Sequence, residues 1–227
     1  MIFQVIVSSE SSKYNDFMTK KLYWVSDTTE SEVEVLQCEA LADGRYAVRL
    51  NATPFHPQGG GQLADLGSIG DAEVSAVDIV GGEIVHYTQQ MLALGSTIAT
   101  VDAARRQQHS RLHSAGHLIG HVLEMLAWQP VKAHHWPGES HVVFQPMNAA
   151  QSVEPELIQR HCDELIARNL PRKVTISEDQ FREVGFGDLK PYGCGGTHVA
   201  MTAELRGLQV LSARSKKGKV RVDYQMP

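Results

Sequence analysis

His113-Ser114-Ala115-Gly116-His117 and its distant complement, Cys194-Gly195-Gly196-Thr197-His198, are the two stretches that decide the fold. Two histidines four residues apart project from one side of a helix, because four residues advance a helix by little more than one turn. In the second stretch two glycines separate the cysteine from the histidine, which predicts a turn. Three imidazoles and one thiolate form a ligand set that suits Zn(II). The two stretches together predict one metal site.

The first stretch alone leaves the ligand pair open. Four histidines recur at four-residue spacing, namely His109, His113, His117 and His121. Any adjacent pair could bind an ion, and a solvated histidine stripe is the alternative. A Gly-Gly turn beside a buried cysteine is also an ordinary structural feature. Only the presence of both stretches in one chain favours a zinc site, with one ion per chain.

Length and composition indicate an ordinary globular protein. The 227 residues are 42% hydrophobic and 21% charged, close to typical globular values. The three cysteines, Cys38, Cys162 and Cys194, are too few for a disulfide framework, so we expect a cytoplasmic protein. The net charge of −5 argues against broad nucleic-acid binding but allows a local basic patch. No apolar run approaches membrane-spanning length, so we expect no membrane partner, and we expect a monomer.

The first part of the chain predicts a small β-barrel. Short strands separated by turn residues run from about residue 22 to residue 98, a pattern typical of barrels. The predicted strands cover residues 33–36, 45–50, 72–80 and 83–87. We assign residues 1–98 to this β-barrel domain, with residues 1–17 as a possible extension.

A glycine-rich segment, Phe55-His56-Pro57-Gln58-Gly59-Gly60-Gly61-Gln62, interrupts the strand pattern. Three consecutive glycines make a poor strand. One interpretation is a flexible β-turn. The other is a loop whose backbone must approach another group closely, with Gln62 presented as a polar group at its end.

The remaining residues, 99–227, predict a layer of sheet and helices, so the fold class is α+β. Asp102 is a plausible N-cap for a helix over residues 103–127, which Pro130 stops. Its predicted core face consists of Leu112, Leu118, Ile119, Val122 and Leu126. The other predicted elements are a helix over 155–169, a short helix from Ser177 to Val184, strands at 141–145 and 173–176, and a hairpin of 208–214 with 219–224.

The terminal hairpin concentrates positive charge in an acidic protein. It carries Arg214, Lys216, Lys217, Lys219 and Arg221. One explanation is that lysines protect an edge hairpin from aggregation. The other is a tip that contacts phosphate groups of RNA.

The F-H-P-Q-G-G-G-Q, H-S-A-G-H and C-G-G-T-H motifs resemble the editing domain of alanyl-tRNA synthetases. They resemble even more closely its freestanding relatives, the medium-sized AlaX-type editing proteins. The resemblance covers nearly the whole chain from Met18, including the S-K-K-G-K-V-R-V-D-Y ending. It implies a β-barrel followed by a zinc-binding editing domain. With an RNA substrate implied, we expect the basic hairpin to contact tRNA through Lys216, Lys217, Lys219 and Arg221.

The resemblance also implies the residues of the site. The zinc ligands would be His113, His117, Cys194 and His198. His109 and His121 would then be ordinary helix residues, although His109 could line the pocket. Gln62 and the backbone of Gly59, Gly60 and Gly61 would face the zinc from the barrel.

Two departures from the common motifs concern the pocket. The family commonly reads H-T-A-T-H, and here Ser114 and Gly116 replace the two threonines. His56 and Gln58 stand where the glycine-rich motif commonly has tyrosine and glutamate. We expect Gly116 to enlarge the pocket, which bears on the preferred amino acid.

The implied activity is that of a zinc-dependent aminoacyl-tRNA deacylase. It would hydrolyse tRNA for alanine that is mischarged with serine or, second, glycine, and would spare alanyl-tRNA. A site that hydrogen-bonds a hydroxyl can reject the analogue lacking it by roughly 10⁴. The candidate partners for that hydroxyl are Ser114, Gln62 and Thr197.

The role of the zinc ion leaves several interpretations open. Zinc-bound water is the expected nucleophile, and no catalytic side chain is predicted. Because four protein ligands would close the tetrahedron, either one ligand, such as His198, is loosely held or the ion positions the substrate. The alternative function is a non-catalytic, zinc-stabilised RNA-binding module. A zinc hydrolase of small esters or peptides is a third possibility, although no H-E-x-x-H motif is present.

Overall fold

A computed structural model describes residues 18–227, so the predicted extension at residues 1–17 lies outside the described residues. Two α-helices combine with mainly antiparallel strands in this range, which confirms the predicted α+β class. None of these described helices is both long and apolar enough to cross a membrane.

Six of the first eight strands form a barrel, and the other two pair with each other. They are β1 (Lys20–Lys21), β2 (Glu30–Ala40), β3 (Tyr46–Leu50), β4 (Ala52–Thr53), β5 (Gly67–Ile69), β6 (Ala72–Val80), β7 (Glu83–Thr88) and β8 (Gly95–Val101). Six strands close in the order β2-β3-β7-β6-β5-β8. The side chains of Val33 and Val35 on β2 alternate with exposed neighbours and point into the barrel core, as the period of a strand requires. The predicted division after residue 98 falls inside β8, and the two-domain organisation stays a prediction.

The later elements form a layer of sheet and helices. They are α1 (Ala103–Met125), β9 (Trp128–His134), β10 (His141–Pro146), α2 (Pro155–Ala167), β11 (Arg172–Ile176), β12 (Arg182–Phe186), β13 (Tyr192–Gly193), β14 (Gln209–Lys216) and β15 (Lys219–Gln225). One sheet has the order β14-β15-β10-β9 and another the order β11-β12-β13.

Helix α1 begins as the sequence predicts. The carboxylate of Asp102 accepts a hydrogen bond from the backbone N–H of Arg105 at 3.0 Å, which caps the helix. The five side chains predicted for its core face are all buried. Four of them belong to one cluster with α2 and the four-stranded sheet, namely Leu112, Leu118, Ile119 and Val122. The helix therefore has its apolar side on the core, and His113 on another side contacts Gln62 of the glycine-rich segment.

The prediction of a short helix from Ser177 to Val184 is wrong. Residues 182–186 form β12 instead, which pairs with β11 on one side and β13 on the other. The Ser177 hydroxyl oxygen accepts from the N–H of Phe181 at 3.1 Å, and Gln180 has a φ of 63°. Ser177 therefore closes a hairpin turn, as serine often does, and does not cap a helix.

Strand β9 is not among the predicted elements, and Pro130 in it is the predicted helix stop. The strand lies at the edge of its sheet, and the pairing with β10 shifts register next to Pro130. Edges and bulges are the places where a sheet tolerates a residue without an N–H donor. This edge strand matters for the site, because the glycine-rich segment packs against it.

A buried ion pair joins the barrel to α1. The guanidinium of Arg106 contacts both carboxylate oxygens of Asp65 and donates to the Pro54 carbonyl at 2.6 Å. The backbone N–H of His56 donates to the same carboxylate at 2.6 Å. Arg106 is only 7% exposed and Asp65 is fully buried. Since His56 and Asp65 flank the glycine-rich turn, the pair fixes that turn against α1.

Removing Asp65 tests this connection. Asp65→Ala would leave Arg106 buried without its carboxylate, so we expect the free energy of unfolding to fall by about 3–5 kcal/mol. The matched control is Asp27→Ala. It breaks an ion pair with Arg172 in which the Asp27 side chain is 66% exposed, and such pairs contribute about 1 kcal/mol or less. Urea denaturation measures both losses, and equal losses would contradict a structural role for the buried pair.

Candidate metal centre

The structure brings together the four side chains that the two motifs supply. Ligand atoms of His113, His117, Cys194 and His198 all lie within 4.8 Å of one another. The Cys194 sulfur is 3.2 Å from Nε2 of His198 and 3.4 Å from Nε2 of His113. This cluster could hold a metal ion, and its donor set suits zinc.

The side chain of Gln62 orients His113 from the barrel side. Its Oε1 accepts from the backbone N–H of Thr197 at 3.0 Å, which identifies that atom as the acceptor. Nδ1 of His113 lies 2.7 Å from the same oxygen and must therefore carry a proton. Nε2 of the neutral ring keeps its lone pair and faces Cys194, as a metal ligand requires.

His198 is held from the α1 side. The hydroxyl of Ser114 lies 3.0 Å from Nδ1 of His198 and accepts from the N–H of Val199 at 3.1 Å. Arg172 donates to the His198 carbonyl at 2.5 Å. The expectation that His198 is the loosely held ligand is therefore not supported by its contacts.

His117 has fewer fixed contacts than the other two imidazoles. Its Nδ1 is buried and has no hydrogen-bond partner among residues 18–227. Its ring packs edge-on against Tyr192, with centroids 5.1 Å apart. A buried ring nitrogen without a partner is costly in a protein interior, and an ion bound by the cluster is one way to fix this ring.

Burial sets the protonation state of the cluster. Desolvation holds the pKa of His113, His117 and His198 well below its usual range, so all three rings are neutral. Burial raises the pKa of the Cys194 thiol, whereas the N–H of Gly196 and the charge of Arg182 lower it. Neutral imidazoles are the form in which histidine binds a metal.

The C-G-G-T-H turn depends on two side chains that the sequence did not single out. Buried Arg182 donates to the carbonyls of Cys194 and Gly196 at 2.8 and 2.9 Å. Trp24 donates its indole N–H to the carbonyl of Gly195 at 3.2 Å. These contacts satisfy three successive carbonyl groups of the turn. No local pattern marks Arg182 or Trp24, because both contacts are long-range.

Of the two glycines in this turn, only Gly196 has a steric requirement. A Cβ there would lie 2.2 Å from Cε1 of His113 and 2.8 Å from Oε1 of Gln62. Nothing lies within 4 Å of a Cβ at Gly195. Neither residue has a positive φ. Close packing against His113, and not backbone freedom, therefore requires glycine at position 196.

The glycine-rich segment combines both interpretations made from its sequence. Gly59 and Gln62 exchange backbone hydrogen bonds at 2.9 and 3.1 Å, and Gly60 and Gly61 have φ values of 57° and 79°. These values fit a tight hairpin turn. A Cβ at Gly61 would also lie 2.7 Å from the Ala133 carbonyl oxygen. The turn therefore approaches β9 closely and places Gln62 in the interior.

A cavity of about 240 Å³ borders the cluster. Its lining includes His113, His117 and Cys194, together with Gly60, Gly116, Gly120, Pro130, Ala133, His135, Val142, Tyr192, Gly193 and Gly195. The prediction that Gly116 enlarges the pocket needs correction. A Cβ at Gly116 would lie 2.4 Å from Cε1 of His135, so His135 fills that space.

The predicted substrate-binding residues divide into two groups. Gly60 and Gly116 line the cavity, and the neighbouring Gly59 and Gly61 belong to the turn. Gln62, Ser114 and Thr197 are buried and bonded to one another or to the cluster. Thr197 accepts from Gln62 at 2.8 Å and from Ser110, which the sequence did not single out, at 2.7 Å. Their contacts make them supports of the cluster.

The two remaining histidines of the α1 stripe lie outside the cluster. His121 stacks on Tyr192 with centroids 4.6 Å apart. His109 is buried, and neither of its ring nitrogens has a partner among the described residues. His109 does not line the 240 Å³ cavity, in contrast to the alternative raised from the sequence.

The orienting role of Gln62 predicts a weaker metal site when it is removed. We expect Gln62→Ala to lower the affinity for Zn²⁺ by about 10–100-fold, because a ligand imidazole loses the group that fixes its orientation. Competition against a chelating indicator measures this affinity. Gln58→Ala, an exposed position on the same turn, is the control and should bind as wild type does. Unchanged affinity in a folded Gln62→Ala protein would refute the role.

Comparisons with known proteins agree with the motif resemblance. No family model matches the chain. The chain is 28% identical to an alanine–tRNA ligase of Natronomonas pharaonis, over 86% of the chain and 24% of that protein. It is 29% identical to those of Halorubrum lacusprofundi and Korarchaeum cryptofilum, over 85% and 91% of the chain. The chain spans about a quarter of the length of the curated relatives it matches. It is therefore homologous to one segment of alanine–tRNA ligases.

Proposed function

We propose that this protein is a zinc-dependent deacylase of mischarged tRNA for alanine, acting mainly on seryl-tRNA and secondarily on glycyl-tRNA while sparing alanyl-tRNA. The observation that carries the proposal is a His₃Cys cluster beside a small cavity, in a chain homologous to a segment of alanine–tRNA ligases. The reaction would be hydrolysis of the ester that links the amino acid to the terminal ribose of the tRNA.

The residues of the cluster fit a zinc ion. His113, His117 and His198 are neutral by burial, and Cys194 supplies the soft ligand that zinc favours. When bound, zinc supplies Lewis-acid chemistry by lowering the pKa of a water molecule and polarising a carbonyl group. Gln62 and Ser114 would fix two of the imidazoles in the orientation that this chemistry needs.

The cavity supplies the binding space for the aminoacyl group. Its volume of about 240 Å³ and its mainly apolar and glycine lining would limit the size of the amino acid. No carboxylate lines it within residues 18–227, so no acidic side chain is assigned as a general base. The Tyr192 hydroxyl is engaged by Glu124 at 2.7 Å and serves to hold the cavity wall.

The basic hairpin is the proposed tRNA contact. Lys216, Lys217, Lys219 and Arg221 surround a surface depression together with Arg214 and Val143. Arg214 and Arg221 both pair with Asp223, at 3.3 and 2.7 Å. The three lysines have no ion-pair partner within the described part of the chain and remain available to phosphate groups. The position and charge of this hairpin would then orient the acceptor end of the tRNA without contacts that depend on its nucleotide sequence.

A second function has one observation in its favour. Four protein donors lie close enough to complete a tetrahedral site, which is the arrangement of a structural zinc ion, whereas catalytic zinc sites commonly keep one position open. In that case the protein would be a zinc-stabilised RNA-binding module without catalysis.

Deacylation assays distinguish the two functions. We expect the zinc-loaded protein to hydrolyse seryl-tRNA and glycyl-tRNA for alanine and to leave alanyl-tRNA intact, and we expect a strong chelator to abolish turnover. Cys194→Ala should lower both zinc content and deacylation, because it removes the thiolate ligand. Cys38→Ala, in the barrel strand β2 and outside the cluster, should change neither.

The outcomes are distinct. Full activity in a zinc-free Cys194→Ala protein would refute zinc dependence. A folded, zinc-loaded wild-type protein that binds the tRNA without turnover of any of the three substrates would favour the RNA-binding module.

A further inference from the structure

His135 fills the space that the glycine at position 116 leaves open in the wall of the cavity. A Cβ at Gly116 would lie 2.7 Å from Nδ1 of His135 and 2.8 Å from the hydroxyl oxygen of Tyr224, in addition to its overlap with Cε1. All these distances are shorter than van der Waals contact. A side chain at position 116 and the observed position of the His135 ring therefore exclude each other.

The ring of His135 is fixed on several sides. It stacks on His113 with centroids 4.3 Å apart and an interplanar angle of 23°. Its backbone N–H donates to the Gly61 carbonyl at 2.8 Å, which ties it to the glycine-rich turn. Only 2% of the residue is exposed. A ring held in this way presents its polar atoms in a defined direction, which is a requirement for specificity.

The hydrogen bonds of Tyr224 determine which nitrogen of His135 carries the proton. The Tyr224 hydroxyl donates to the Leu112 carbonyl at 3.0 Å. Its oxygen therefore accepts from Nδ1 of His135, which lies 2.5 Å away. In the neutral ring the proton is on Nδ1, and Nε2 is an acceptor.

Nε2 of His135 is an unused acceptor at the cavity. It has no hydrogen-bond partner among residues 18–227, and it is not sealed in the interior as the unpaired nitrogens of His109 are. Two other polar groups of the wall are engaged, since Nδ1 of His113 bonds to Gln62 and Tyr192 bonds to Glu124. The unpaired Nδ1 of His117 is sealed in the interior. The cavity thus offers one fixed acceptor in a lining that is otherwise mainly apolar.

We propose that His135 is a specificity-determining residue, whose Nε2 accepts a hydrogen bond from the hydroxyl group of a seryl substrate. This inference rests on the deacylase function proposed above. An alanyl group in the same place would leave the acceptor buried and unpaired, which is the penalty that separates substrates differing by one hydroxyl. We therefore assign the binding of the serine hydroxyl, predicted for Ser114, Gln62 and Thr197, to His135, which lies outside the motifs.

The direct test replaces the acceptor and keeps an aromatic ring. We expect His135→Phe to lower the ratio of kcat/KM for seryl-tRNA over alanyl-tRNA by about 100-fold or more, mainly through loss of seryl-tRNA hydrolysis. Zinc content should stay at the wild-type level, which separates loss of specificity from loss of the metal site. His134→Phe is the matched control, because the adjacent His134 packs on Trp136 and does not line the cavity.

A second variant tests the same role in case the His135→Phe protein does not fold. Gly116→Ala introduces the Cβ that collides with the His135 ring, so the ring must move, and the same ratio should fall. If wild-type protein hydrolyses seryl-tRNA and both variants keep the wild-type ratio, His135 is not the discriminating residue and the deacylase function stands. If wild-type protein hydrolyses no substrate, the proposed function fails, and the role of His135 fails with it.

Discussion

The buried amide of Gln62 is the contact on which the rest of the site depends. It donates to the Thr197 hydroxyl and accepts from the backbone of Thr197 and from His113. One side chain from the barrel therefore touches both halves of the His₃Cys cluster. The features around it serve to place it, since the Arg106–Asp65 pair anchors the base of its turn and the close approach of Gly61 to Ala133 fixes the tip.

This arrangement explains why the chemistry of the cluster requires two separate parts of the fold. Helix α1 supplies two histidines at the correct spacing, but their protonation depends on burial and on acceptors from elsewhere. Gln62 fixes the proton of His113, and Ser114 contacts Nδ1 of His198. Such outer contacts orient ligands and increase their basicity. A cluster that is neutral and oriented is prepared for a cation before one binds.

Local patterns in the sequence predicted most helices and strands and the association of the two metal-binding motifs. They failed where long-range contacts determine the local structure. The apolar period and the Asp102 cap located α1 to within two residues of its end. The pattern after Ser177 misled because pairing on both sides of β12 outweighed a capping signal. Arg182, Trp24 and His135 carry no local signature, and only their contacts with distant backbone and rings reveal them. The same limit applies at Gly116, because the sequence indicates that a side chain is missing there but not that the His135 ring occupies the space.

The central claim is that these four side chains together bind one zinc ion. Zinc K-edge X-ray absorption on protein loaded with one equivalent of Zn²⁺ measures the ligands directly. The account predicts a coordination shell of one sulfur at about 2.3 Å and nitrogen ligands at about 2.0–2.1 Å, with the sulfur absent in Cys194→Ala. A shell of nitrogen and oxygen without sulfur in the wild-type protein would contradict it.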